Sequence, residues 1–117
     1  MKPEALKSLV TEALEDMKAQ NIVAIDVRGK TAITDFMVIA TGTSDRHVKA
    51  LADSVLKEAK DAGVKPLGIE GERDAEWVLI DLNDVIVHTM TADVRDFYGL
   101  EKLWSVDGET KQEDSKA

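Results

Sequence analysis

The sequence predicts an α/β protein of the mixed α+β kind, with a single mixed sheet of about five strands packed with three helices in the order αββαβββα. Two long stretches repeat apolar residues at helical spacing, one near the N-terminus and one between Ser44 and Gly63. Short apolar runs of strand length fill the intervals, and Gly, Pro or Asn-Asp turns separate them. At 117 residues the chain suits one domain, expected over 1–105, with room for a core that needs neither disulfides nor metals.

In the first helix, over 3–19, Leu6, Leu9, Val10, Ala13, Leu14 and Met17 share a face, and Pro3 suits a first turn where its missing N–H costs nothing. The run NIVAIDV (21–27) alternates Val23, Ile25 and Val27 with other positions, and Arg28-Gly29-Lys30 turns the chain into DFMVIATG (35–42). These two runs are expected to pair, and the second, apolar on both faces, belongs near the middle of the sheet. Ser44, preceded by Thr43, can cap a helix whose stripe is Val48, Leu51, Ala52, Val55, Leu56 and Ala59, ended by Gly63 and Pro66.

A short strand around 67–69 follows, so that strand, helix and strand form a crossover unit expected to be right-handed. The runs 77–82 and 85–90 then meet at Asn83-Asp84, which is turn chemistry. With those two residues central, Leu82 faces Val85, Ile80 faces Val87 and Val78 faces Thr89. Thr91 or Asp93 opens a last helix through Tyr98, interrupted by Gly99 before LEKLW. Phe97, Leu100 and Leu103 are expected to pack on the sheet, with Trp104 anchoring the chain end. Residues 106–117 make an acidic tail that has no apolar anchor from Asp107 on and is expected to be disordered.

Composition removes several function classes. Without cysteine there are no disulfides, thiolate metal sites or cysteine nucleophiles. The N-terminus lacks the apolar centre of a signal peptide and the acid-poor composition of a transit peptide, and no apolar run approaches the roughly 18 residues of a membrane span. A cytoplasmic protein with no membrane contact is expected. A net charge of -8 argues against direct, sequence-specific nucleic-acid binding. Between 70 and 84, Glu70, Glu72, Asp74, Glu76, Asp81 and Asp84 stand against Arg73 alone, a segment that would attract a basic protein partner or simply keep a loop solvated.

Side chains alternate across a strand, so one hairpin face (Val78, Ile80, Leu82, Val85, Val87, Thr89) is almost wholly apolar. The other collects Trp77, Leu79 and Asp81 with Ile86, His88 and Met90. Either a helix covers this second face and Trp77 is a core residue, or the face is a partner-binding patch, since Trp, Met and a few charges around aliphatic residues compose interface centres. His88 is either an interface residue or a satisfied, partly buried one, and Asp81 either accepts turn N–H groups or offers its carboxylate to a basic partner. His47 belongs to the first turn of the second helix.

Two weaker chemical signals remain. Thr41-Gly42-Thr43-Ser44, between a strand and a helix, could hold a phosphate, but lacks the glycine spacing and lysine of a P-loop and reads better as a cap. Glu70 and Glu72, two apart, could point the same way from a strand end, the geometry a metal-dependent nucleotidyltransferase uses and the basis of the alternative function, but Gly71 between them suggests a loop and no third carboxylate is clearly placed. No cofactor and no metal are expected.

Three stretches together resemble one family: TDFMVIATGTSDRHVKALAD (34–53), EWVLIDLNDVIVH (76–88) and RDFYGLEKLW (95–104). In this order they are similar to the ribosomal silencing factors, the RsfS or Iojap/YbeB family, over residues 3 to 105. The chain departs from the family pattern in carrying Asn83 where Gly is expected and Met90 where Phe is expected. The resemblance implies a nucleotidyltransferase-like fold without that chemistry, hence no enzyme and no catalytic residue. It further implies binding to the large ribosomal subunit through that subunit's ribosomal protein fourteen, which blocks joining of the small subunit and represses translation.

With that partner, the residues expected to bind it are Trp77, Leu79, Asp81, Asp84, Ile86, His88, Met90 and Tyr98. If Trp77 is the anchor, Trp77→Ala is expected to lose about 2 kcal/mol or more of subunit binding and leave the fold intact. An exposed apolar face also predicts a homodimer of the free protein.

Overall fold

The computed structural model of the chain describes residues 1–104, so the tail expected over 106–117 lies outside the described residues. The elements are α1 (Pro3–Asp16), β1 (Gln20–Asp26), β2 (Phe36–Gly42), α2 (Asp45–Asp61), β3 (Gly68–Glu70), β4 (Trp77–Asp81), β5 (Val85–Thr91), α3 (Ala92–Tyr98) and α4 (Leu100–Trp104). The expected order holds, with the last helix divided where Gly99 takes a left-handed conformation, φ 55°, and closes α3.

The strands form one mixed sheet in the order β1-β2-β5-β4-β3. β2 and β5 run parallel, and the other neighbours antiparallel. Every residue of β2 is buried, which is why it is apolar on both faces. The crossover through α2 does join parallel strands, but it spans the sheet: β3 lies at the far edge, with β5 and β4 between it and β2.

The hairpin register is the one the turn predicts, with Ile80 opposite Val87 and Val78 opposite Thr89. The Leu82 N–H donates to the Val85 carbonyl at 2.9 Å. Asn83 has φ 74°, a left-handed conformation that Asn tolerates better than other non-glycine residues. The Asp84 carbonyl accepts the N–H groups of Asp35 (3.0 Å) and Phe36 (3.1 Å), so the turn also pins the start of β2.

α1 and α2 pack on one side of the sheet. Leu6, Val10 and Leu14 of α1 and Val48, Leu51 and Val55 of α2 join Val78, Ile80, Leu82, Val85 and Val87 in a single buried cluster. The wholly apolar hairpin face is therefore the one beneath the long helices, and Thr89 is accommodated there because its hydroxyl donates to the Val48 carbonyl at 3.3 Å.

The turn before α2 is closed by its own side chains. Ser44 Oγ accepts the His47 N–H at 3.1 Å, and His47 Nδ1 accepts the Thr43 N–H at 2.9 Å while its Nε2 lies 2.8 Å from the Met17 carbonyl. A Cβ on Gly42 would stand 2.8 Å from Val48 Cγ2 and 2.9 Å from Val48 N. This glycine serves the close approach of strand and helix, and the turn is a cap.

Candidate functional site: the second face of the sheet

The sheet face turned away from α1 and α2 is built by strand alternation. β4 contributes Trp77, Leu79 and Asp81, β5 contributes Ile86, His88 and Met90, and β2 and β1 add Met37, Ile39, Val23 and Ile25 in register beside them. The short helices α3 and α4 cover only part of it. Met90, Met37, Ile39 and Ile25 are buried in a second cluster on which Trp77, Val94 and Leu100 pack. Trp77, Leu79, Asp81 and Ile86 are left half-buried. Core and open surface thus divide one face between them.

This division sorts the expected residues by exposure. Met90 is fully buried in this chain, so it supports the face from beneath and presents no surface of its own. His88 is 4% exposed, and burial pushes its imidazole down from 6.5 to about 4. Its Nδ1 accepts the indole N–H of Trp77 at 2.9 Å, which makes it the satisfied, buried histidine. Asp81 is half-buried, and its Oδ1 accepts the Asn83 N–H at 2.8 Å. Asp84 is half-buried at the same turn.

At the other end of the face the aromatic side chains form a chain. The Trp77 ring lies 5.8 Å from His88 and 4.9 Å from Tyr98, and Tyr98 meets Phe97 edge-on at 4.9 Å between centroids. Tyr98 is 58% exposed and Phe97 81%, so Phe97 does not pack on the sheet as expected. The inward position of α3 is taken by Arg95, and a residue two further along a helix lies about 200° around the axis, facing away. Leu100 does pack against the second cluster, while the placements expected for the Leu103 and Trp104 side chains lie outside the described residues. Phe97 is the functional candidate that periodicity missed.

Arg95 holds the short helices in place. Its guanidinium donates to both carboxylate oxygens of Glu101, at 3.0 and 2.9 Å, and through Nη1 to the Asn21 carbonyl at 2.6 Å and Thr41 Oγ1 at 2.8 Å. One side chain thereby ties α3 to α4, β1 and β2.

The acidic segment borders this face. Glu70 lies opposite Leu79, and Glu72, Asp74 and Glu76 are exposed in the loop that leads into Trp77. Gly71 has φ 87°, and a Cβ there would fall 2.0 Å from the Trp77 carbonyl. Only glycine lets the acidic loop close on the start of β4, so Gly71→Ala is expected to cost more than 1 kcal/mol, on the order of 2, in urea unfolding. An unchanged midpoint would show that the loop relaxes freely. Among the described residues no three His, Asp or Glu side chains are grouped so as to hold a metal ion.

A family model described as "Ribosomal silencing factor during starvation" matches residues 1–117. The chain belongs to this family. It is 48% identical over 101 residues to the ribosomal silencing factor RsfS of Haemophilus influenzae, covering 86% of this chain and 99% of that one. A crystal structure of a Chromobacterium violaceum protein superposes with a TM-score of 0.89 at 43% identity, covering 100% of this chain and 95% of that one. A more distant mouse relative, "Mitochondrial assembly of ribosomal large subunit protein 1", is 31% identical over 101 residues, covering 84% of this chain and 44% of that protein. In this silencing factor the sheet therefore brings together Trp77, Leu79, Asp81 and Ile86 as surface, with Tyr98 beside them and His88 and Met90 beneath. Among the described residues, no helix is long and apolar enough to cross a membrane.

Proposed function

We propose that this silencing factor is a stoichiometric plug: it binds the large ribosomal subunit through that subunit's ribosomal protein fourteen, stands where the small subunit would join, and so represses translation in the cytoplasm without metal, cofactor or catalysis. The observation that carries this reading is the half-covered second face. A half-buried Trp77, Leu79 and Ile86, continued by exposed Tyr98 and Phe97, form an apolar centre with the acidic loop 70–76 at its border. Desolvation of the aromatic centre would supply affinity, and the acidic border would attract a basic ribosomal protein and orient it.

Light scattering of large and small subunits mixed with magnesium tests the plug. Preincubating the large subunit with stoichiometric protein should suppress joining, and excess free large subunit should restore it. Joining at the normal rate would sink the proposal.

The same face offers a residue-level test. Phe97→Ala is expected to weaken large-subunit binding by about 1–2 kcal/mol and leave the unfolding midpoint unchanged, since an 81% exposed ring contributes little to the core. Unchanged affinity would remove Phe97 from the interface. Trp77 is a less clean probe than the sequence implies: its indole packs on the second cluster and donates to His88, so Trp77→Ala is expected to loosen the fold as well as the complex.

The free protein is further proposed to bury this apolar face in a homodimer. Sedimentation at micromolar concentration should give a dimer that dissociates when large subunits are added, and a monomer would count against it.

A further inference from the structure

We propose that His88 is a positioning residue of the docking face: it makes no contact with the partner, but accepts the Trp77 indole N–H and thereby holds the Trp77 ring in the orientation that presents the aromatic surface. The inference rests on the docking reading above and assigns a role within it.

His88 has almost no surface to give a partner, being 4% exposed in the free chain. It stands in β5 directly across from Leu79 and on the diagonal from Trp77, within reach of a long aromatic side chain on the neighbouring strand. An indole carries a single donor and no acceptor, so the ring's orientation decides whether that donor is satisfied. With Nδ1 of His88 at 2.9 Å, it is satisfied inside the protein. Without that acceptor the half-buried ring either leaves a donor unpaired, which is costly, or turns to bring its N–H to water.

Turning the ring would also disturb its neighbours. Tyr98 lies 4.9 Å from Trp77, and Phe97 lies 4.9 Å from Tyr98, edge-on. Orientation at the buried histidine therefore propagates through Trp77 to the exposed rings. Acceptance at Nδ1 requires that the imidazole proton sit on Nε2, and burial keeps the ring unprotonated throughout the neutral range.

A double-mutant cycle on large-subunit binding tests the proposal, using His88→Leu, Trp77→Phe and the pair, with His88→Gln as the conservative replacement that keeps an acceptor. His88→Leu is expected to weaken binding about tenfold, the scale of one lost hydrogen bond. In the Trp77→Phe background, where no N–H remains to be held, it should weaken binding by less than about twofold. His88→Gln should recover most of the affinity. In nuclear magnetic resonance the Trp77 indole N–H should exchange slowly with solvent in the wild-type protein and in His88→Gln, and quickly in folded His88→Leu.

Losses that multiply in the double variant would mean a merely structural role and overturn the proposal, as would normal binding by folded His88→Leu. Fast exchange of the wild-type indole N–H would overturn it whatever the variants do, including a leucine variant that fails to fold. Phe97→Ala separates this failure from that of the docking reading. If Phe97→Ala weakens binding and His88→Leu does not, the positioning role alone falls. If Phe97→Ala and Trp77→Phe both bind normally, the docking face falls and the positioning role with it.

Discussion

Replacing Arg95 with methionine is expected to cost about 3 kcal/mol of folding stability. The guanidinium is buried, its residue 8% exposed, and it answers Glu101, the Asn21 carbonyl and Thr41 Oγ1 together. Methionine fills much of the volume but donates nothing, so the part-exposed Glu101 carboxylate and two further oxygens lose this partner. The arrangement is costly to break from one side because the other charge stays behind. Arg95→Met combined with Glu101→Gln should therefore recover part of the loss. Urea unfolding at neutral pH reads both; a single variant within 1 kcal/mol of wild type, on the order of an ordinary surface change, would show that contacts other than the Arg95 guanidinium hold the short helices. Because α3 carries Tyr98 and Phe97, the same variant should also blunt subunit binding even where it remains folded.

The second large effect is pH dependence through His88. Its imidazole titrates at about 4 in the folded chain against 6.5 ordinarily, because burial penalises the charged ring. Protonation at Nδ1 would also remove the acceptor of the Trp77 N–H. Between 6.5 and 4 the unfolded chain binds a proton that the folded chain refuses, so stability falls as pH drops through this window, by about 3 kcal/mol in all. Well above 6.5 neither state is protonated at this residue, and it contributes no slope. Carboxylates titrate over the lower part of the same range, so the measurement is the difference between wild type and His88→Gln in urea midpoints taken from neutral pH down to about 4.5. Parallel curves would mean that His88 admits its proton without strain.

Much of the fold was legible because local periodicity reports which residues share a face. The α2 stripe from Val48 to Ala59 is buried as its spacing predicts, Ser44 caps the helix, and the Asn83-Asp84 turn sets a hairpin register that the ladder reproduces. These features depend on neighbours a few residues away, where geometry is nearly independent of the rest of the chain. The family, too, was legible in three short stretches, and the model match over 1–117 agrees.

The site was legible only as a strip of sequence. Alternation separates Trp77, Leu79, Asp81, Ile86, His88 and Met90 from the other hairpin face, but it cannot say which face the long helices cover when both are apolar. That depends on β5 lying parallel to β2 in the sheet interior, and on α3 and α4 being too short to cover more than one end of the second face. Burial of Met90 and His88, exposure of Phe97 and the inward turn of Arg95 all follow from that packing. By itself the sequence determined the order of the elements and the register of the Asn83-Asp84 hairpin, which depend on contacts close along the chain, and three short stretches carried the family. Only the tertiary structure decided which aromatic rings reach solvent and which polar groups hold them there, because those are contacts between residues such as Arg95 and Asn21 that meet only when the sheet closes.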